Sequence, residues 1–179
     1  MDLFEKCIQQ NTVFEGRIIT VCDDRVELPG GRTAGREVVH HHGGVCILPY
    51  DGRYVYLVNQ FRYPYREVVR ELPAGKLEKG EDPLPAARRE LREELGVTAG
   101  SLTDLGLFYP TPGYCDEVIH LYLAQQLQFG DQDLDPDEFL EIEQIELDQA
   151  VQEVLDGAIP DGKTQAALLK FYTQLQRSK

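Results

Sequence analysis

The stretch Gly75-Lys-Leu-Glu-Lys-Gly80-Glu81-Asp82-Pro83-Leu-Pro-Ala-Ala-Arg-Arg89-Glu90-Leu-Arg-Glu93-Glu94-Leu-Gly96-Val97 constrains this chain more than any other. It sets a glycine loop, a helix and a cluster of carboxylates in one fixed order. Asp82 is placed to cap a helix that Pro83 opens and Gly96 closes, so the spacing predicts a helix over 83–95. At about 100° per residue, Leu84, Ala87, Leu91 and Leu95 form one apolar stripe, with Glu90, Glu93 and Glu94 on the arc beside it. Carboxylates crowded at the edge of a buried face raise one another's pKa and destabilise the helix unless positive charge sits among them. A hard divalent cation, which takes oxygen ligands, answers that need. The competing reading is a solvated helix face carrying i,i+4 pairs such as Arg89 with Glu93. The preceding loop tips the balance, because Gly75 and Gly80 supply unusual backbone angles at a fixed distance before the acids.

The rest of the composition agrees with one compact enzyme domain. At 179 residues and 42% hydrophobic, the chain is long enough to bury a substantial core. A formal charge of −13 argues against nucleic acid or an anionic membrane as the natural partner. It also makes binding of an anionic substrate depend on local positive charge or on metal. No stretch approaches the roughly 18 apolar residues of a membrane span, and no basic segment leads into an apolar one at the N-terminus. A cytoplasmic location is therefore expected. Cys7, Cys22, Cys46 and Cys115 form no Cys-x-x-Cys pair and read as free thiols. His40-His41-His42 reads as a strand end, since consecutive strand residues point to opposite faces.

Mixed α and β structure follows from the pattern. Val13 to Leu28 contains two β-prone runs, and Arg36-Glu37-Val38-Val39 resumes the pattern after a turn at Pro29-Gly30-Gly31, giving a small N-terminal sheet. Val45 to Leu48 and Tyr54 to Val58 flank Asp51-Gly52 and predict a hairpin. Val68 to Leu72, Leu102 to Tyr109, Val118 to Ala124 and Ile142 to Leu147 read as further strands, and 148–156 and 164–175 as closing helices. The expected architecture is an α/β sandwich around a mixed β-sheet.

The Gly75–Val97 stretch resembles the signature of the Nudix hydrolases at every defining position. Gln60-Phe61-Arg62-Tyr63-Pro64, Glu71-Leu72-Pro73-Ala74-Gly75 and Tyr109-Pro110-Thr111-Pro112-Gly113, with Pro112 standing 15 residues after Val97, are similar to the ADP-ribose pyrophosphatase subgroup. The resemblance makes the expected sandwich α/β/α and implies hydrolysis of the diphosphate bond of ADP-ribose to AMP and ribose 5-phosphate. It implies Mg²⁺, with Mn²⁺ as a substitute, held by Glu90 and Glu94 with Glu93 and the Ala74 carbonyl. Arg89 would orient the acids and hold Glu81. A late-loop carboxylate would position the water, Glu138 being the first choice and Glu141 the second. Arg62, Arg36, Glu71 and Pro112 are the implied substrate residues. Residues 1–40 would form an N-terminal β region serving as the arm of a homodimer, and 41–179 the catalytic domain. Two alternatives stay open: the same chemistry on another nucleoside diphosphate sugar such as GDP-mannose or ADP-glucose, and a non-catalytic module that senses ADP-ribose.

Overall fold

A computed structural model describes residues 3–136 and 138–177, and in it the first helix runs where its capping residues require. Helix α1 spans Pro83–Leu95; the Asp82 side chain accepts the Leu84 N–H, and Gly96 closes the helix in the left-handed region at φ 65°. A residue with a Cβ adopts that angle at a cost, which is why glycine ends the helix here. The buried face is Ala86, Ala87, Glu90, Leu91, Glu94 and Leu95. Leu84, expected in the apolar stripe, is instead 40% exposed, because it lies in the first turn beside the exposed loop 78–80.

The chain falls into two compact units. One comprises the residues up to Gly43 together with Tyr109–Val118; the other comprises Gly44–Phe108 and the residues from Ile119 onward. The first unit contains β1 (Lys6–Gln9), β2 (Thr12–Glu15), β3 (Ile19–Glu27) and β4 (Thr33–His41), all antiparallel about a central β3. The segment from Tyr109 joins it through Val39, whose N–H donates to the Tyr114 carbonyl and whose carbonyl accepts the Asp116 N–H. Strand β1 was not legible in the sequence.

The second unit is built from two sheets. One has the order β8 (Ala74–Lys76), β5 (Gly44–Pro49), β10 (Ile119–Phe129), β9 (Val97–Phe108); the other has the order β11 (Leu140–Glu146), β6 (Tyr54–Arg62), β7 (Glu67–Glu71). Strand β10 runs parallel to β5 and antiparallel to β9, so the first sheet is mixed. Strand alternation then sorts the apolar side chains into two cores. Val45, Ile47, Tyr122 and Ala124 pack with Ala87, Leu91 and Leu95 of α1. Cys46, Leu48, Leu121 and Leu123 pack on the other side with α2 (Leu147–Leu155) and α3 (Gly162–Arg177). Each fully buried Leu or Ile in such a core contributes about 1.5–3 kcal/mol. Helices on both sides of sheet residues give the expected α/β/α arrangement.

The expected hairpin across Asp51-Gly52 does not form. Strand β5 pairs with β8 and β10, and β6 with β7 and β11, which leaves a single bridge between Tyr50 and Val55. The Asp51 carboxylate explains the redirection: it accepts the N–H groups of Arg53 (2.9 Å) and Tyr54 (2.7 Å) and the Tyr56 hydroxyl (2.7 Å). An aspartate that binds the backbone two and three residues ahead turns the chain on its own account, without a ladder.

Candidate active site

Short strand β8 delivers the glycine loop to the helix. It pairs antiparallel with β5, Ala74 opposite Cys46 and Gly75 opposite Val45. A Cβ on Gly75 would stand 1.8 Å from the carboxyl carbon of Glu90, so any larger residue would push that carboxylate from its place. The neighbouring Ala74 N–H donates to Glu94 Oε2 at 3.0 Å. Glu90 and Glu94, one turn apart, thus lie 8% and 3% exposed against the loop backbone. Glu93 projects to the side, about a quarter exposed.

Arg89 gathers the acids from the outer side. Its Nη1 donates to Glu90 Oε1 (2.7 Å) and Glu93 Oε2 (3.1 Å), and its Nη2 to Glu81 (3.3 and 3.4 Å). Glu81 also accepts the Glu78 N–H at 2.9 Å, which ties loop to helix. Burial lowers the Arg89 pKa, but Glu90, Glu93 and Glu81 outweigh it and raise it overall. Burial pushes Glu94 up to about 8, with the charges of Glu90 and Glu138 adding to the effect and the Ala74 N–H opposing it. Glu90 is raised as well, by burial first, and Arg89 offsets only part of the rise. Two buried acids that resist ionisation in contact with backbone N–H and guanidinium groups still lack positive charge.

The late loop between β10 and β11 carries Glu138, whose charge bears on both Glu90 and Glu94. Its N–H donates to the Asp135 carbonyl at 2.9 Å. Glu141 is exposed on β11, opposite Asn59 of β6. The sequence reading overlooked Gln132, whose side chain bonds the Glu94 carbonyl (2.6 Å), and the bond of the Asp133 N–H to the Glu93 carbonyl (3.0 Å). No local signal marks such a contact, because its partner lies 38 residues away in sequence.

Glu71 is 2% exposed and holds Arg62 in a two-pronged pair, Nε to Oε1 at 2.5 Å and Nη2 to Oε2 at 2.8 Å. Lys163 also bonds Glu71, and it reaches Asp161 at 3.0 Å. Asp161 caps α3 by accepting the Thr164 N–H at 2.9 Å. Burial alone would raise Glu71, but Arg62 and Lys163 outweigh it and hold its pKa below the usual range. The sequence reading missed Lys163 and Asp161; an aspartate just before a helical run is a cap signal, and it could have marked Asp161. Arg36 and Pro112 both belong to the first unit, where they line an open pocket of about 430 Å³ with Tyr109, Tyr114, Asp116 and Glu117. Arg36 forms a two-pronged pair with Glu5 at 2.9 and 2.6 Å.

Among the described residues, no three His, Cys, Asp or Glu side chains stand gathered as a cation cage, and Arg89 lies between Glu90 and Glu93. The donor chemistry nevertheless fits a small hard divalent cation. Such ions keep several waters and bind through one or two carboxylates plus substrate phosphates, not through a closed protein cage. Glu90 and Glu94 supply two oxygen donors with raised affinity for positive charge.

Comparisons with known proteins bear on the family of the chain. The NUDIX domain family matches residues 40–168, and the nucleoside diphosphate sugar hydrolase N-terminal domain family matches residues 5–39. The chain is 41% identical to the ADP-ribose pyrophosphatase of Bacillus subtilis (strain 168) over 179 residues, 98% of this chain and 96% of that one. It is also 41% identical to the methanol dehydrogenase activator of Bacillus methanolicus over 177 residues, 97% and 95% of the two chains. A crystal structure of an ADP compounds hydrolase shares the fold with a TM-score of 0.83 at 22% identity, covering 99% of this chain and 98% of its own. With glycine loop, acid-bearing helix and sandwich all in place, the chain belongs to the Nudix domain family.

Proposed function

We propose that this protein is a Mg²⁺-dependent pyrophosphatase that hydrolyses ADP-ribose to AMP and ribose 5-phosphate, with Mn²⁺ able to substitute. The observation that carries this reading is the buried Glu90–Glu94 pair seated against Gly75, with Glu94 raised to about 8 by burial. The near-full-length similarity to an ADP-ribose pyrophosphatase supports the choice of substrate.

Glu90 and Glu94 would hold the cation, with Glu93 and the Ala74 carbonyl beside them. When bound, the cation neutralises diphosphate charge and lowers the pKa of a water. Arg89 keeps Glu81, Glu90 and Glu93 in register by fixed planar donors. Glu138 orients the attacking water by accepting its proton, with Glu141 as the reserve candidate. Arg62 keeps Nη1 outside its pair with Glu71 and offers it to a phosphate or ribose oxygen. Glu71 serves the substrate by fixing Arg62. Arg36 and Pro112 line a pocket of the first unit and stand as further candidate substrate residues. Residues 1–40 act as a dimerisation arm on the 41–179 domain, a role supported by Ile8, Val13, Phe14 and Ile18, each more than half exposed.

The test is product release from ADP-ribose, ADP-glucose, GDP-mannose, NADH and diadenosine polyphosphates, with Mg²⁺ and with EDTA. Metal-dependent AMP formation with ADP-ribose preferred is the expected result. Preference for another member replaces the substrate, and binding without turnover marks a sensing module.

A further inference from the structure

A helix leaves its last four carbonyls without intrahelical partners. In α1 two of these carbonyls belong to Glu93 and Glu94, and the late loop satisfies both, as it does the carbonyl of the cap residue Gly96. The Glu93 carbonyl accepts the Asp133 N–H at 3.0 Å, and the Gly96 carbonyl accepts the Gly130 N–H at 2.7 Å. The Glu94 carbonyl accepts Nε2 of Gln132 at 2.6 Å. Arg92 adds an ion pair to Asp133 at 3.2 Å. The approach is tight: a Cβ on Gly96 would meet the Gly130 carbonyl oxygen at 2.5 Å and the Asp131 carbonyl carbon at 2.6 Å.

The same loop then runs to Glu138, whose charge reaches the side chains of Glu90 and Glu94. The loop is therefore bonded to the helix end through carbonyls, while Glu138 stands near enough for its like charge to raise the pKa of both acids, so its place relative to them has to be held by the loop. At the far end, Leu140 enters the ladder opposite Gln60 of β6, so the loop is anchored on both sides. Among the contacts to α1, the one from Gln132 is a side-chain bond on the backbone of an acid, so substitution removes it without altering the main chain.

Resting on the hydrolase reading above, we propose that Gln132 is a positioning residue whose bond to the Glu94 carbonyl sets the place of Glu138 relative to the helix acids. Its effect on turnover passes through Glu138, and it touches no reacting atom.

The experiment compares Gln132→Glu, which keeps the shape and loses the donor, with Gln132→Lys, which restores one. Both are measured alone and combined with Glu138→Gln, using ADP-ribose and Mg²⁺. Gln132→Glu is expected to lower kcat about three- to tenfold with KM unchanged, as the loss of one hydrogen bond allows. Gln132→Lys recovers part of that loss. Glu138→Gln costs less in the Gln132→Glu background than alone, the signature of two residues acting as a unit. Amide hydrogen exchange over residues 130–136 rises in Gln132→Glu, with or without Mg²⁺, while Tm stays within a few degrees.

An unchanged kcat with raised exchange overturns the proposal. Additive losses from Gln132→Glu and Glu138→Gln overturn it too, because the bond would then be structural only. Wild-type protein that turns over no substrate defeats the hydrolase reading first, whereas an active wild type with an indifferent Gln132 defeats this proposal alone.

Discussion

Glu71 and Glu94 are both buried glutamates, 2% and 3% exposed, yet their ionisation is driven in opposite directions. Around Glu71 the fold supplies two cations, Arg62 and Lys163, and the carboxylate is held charged despite its burial. Around Glu94 it supplies one N–H, from Ala74, and only the weaker pull of Arg62, which is already paired with Glu71, and it adds the negative charges of Glu90 and Glu138. The contrast teaches where positive charge must arrive from outside. A buried acid bonded to internal cations is a structural joint, and a buried acid with none bonded to it is a place for a metal.

The comparison breaks most visibly at Glu94. Glu94→Gln is expected to lower kcat for ADP-ribose by about 10³-fold, or about 4 kcal/mol, by weakening cation binding. Circular dichroism should show the fold intact, since a neutral amide costs less to bury than a carboxylate. Normal turnover in a folded variant would remove this helix from the mechanism. Glu71→Ala acts on the other side of the contrast. Removing one partner of a buried pair strands Lys163 and Arg62 and costs about 3 kcal/mol of stability. At this chain length that lowers Tm by about 6–12 °C, and a fall below 2 °C would show that the pair is not a joint.

A pH series sharpens the same contrast with a smaller effect. Glu94 has its folded pKa raised to about 8, so the folded state holds a proton that the unfolded state releases. That stabilisation is complete below the ordinary carboxylate range, falls as the pH rises towards 8, and is gone above it. Metal-free protein should lose a few degrees of Tm across this window, relative to Glu94→Gln. Mg²⁺ should raise the wild-type Tm more at pH 9 than at pH 6, because proton and cation compete for one group. Glu71, held below its usual range, gives the reverse sign: its contribution is present at neutral pH and is lost on acidification. The smallest effect belongs to Arg53 and Glu146, an exposed pair far from either acid in its energetics. Arg53→Ala should change stability by about 0.5 kcal/mol or less, measured by urea unfolding.

How much of this was legible in the sequence depended on range. Helix α1 and its caps were readable residue by residue, because Asp82, Pro83 and Gly96 act within one turn of the helix end. An α/β sandwich was readable from the order of strands and helices, and its α/β/α layering from the resemblance to the Nudix hydrolases. Pairing across Asp51-Gly52 was not, because the turn signal is the same whether the next strand folds back or crosses to a second sheet. Within the site, Glu90 and Glu94 stood out through their spacing, and the meaning of Gly75 became physical only when its missing Cβ was set against the Glu90 carboxylate. Lys163, Asp161 and Gln132 stayed hidden. Lys163 bonds Glu71 across 92 residues and Gln132 bonds Glu94 across 38, and neither stands in a local pattern.

The measurement that tests the account most directly is cation binding itself, followed by the electron paramagnetic resonance signal of free Mn²⁺ titrated into wild-type protein and into Glu94→Gln. The account predicts that the wild type removes Mn²⁺ from solution and that folded Glu94→Gln largely does not. Equal Mn²⁺ binding by the two proteins would contradict it, since the missing positive charge would then not lie at Glu94.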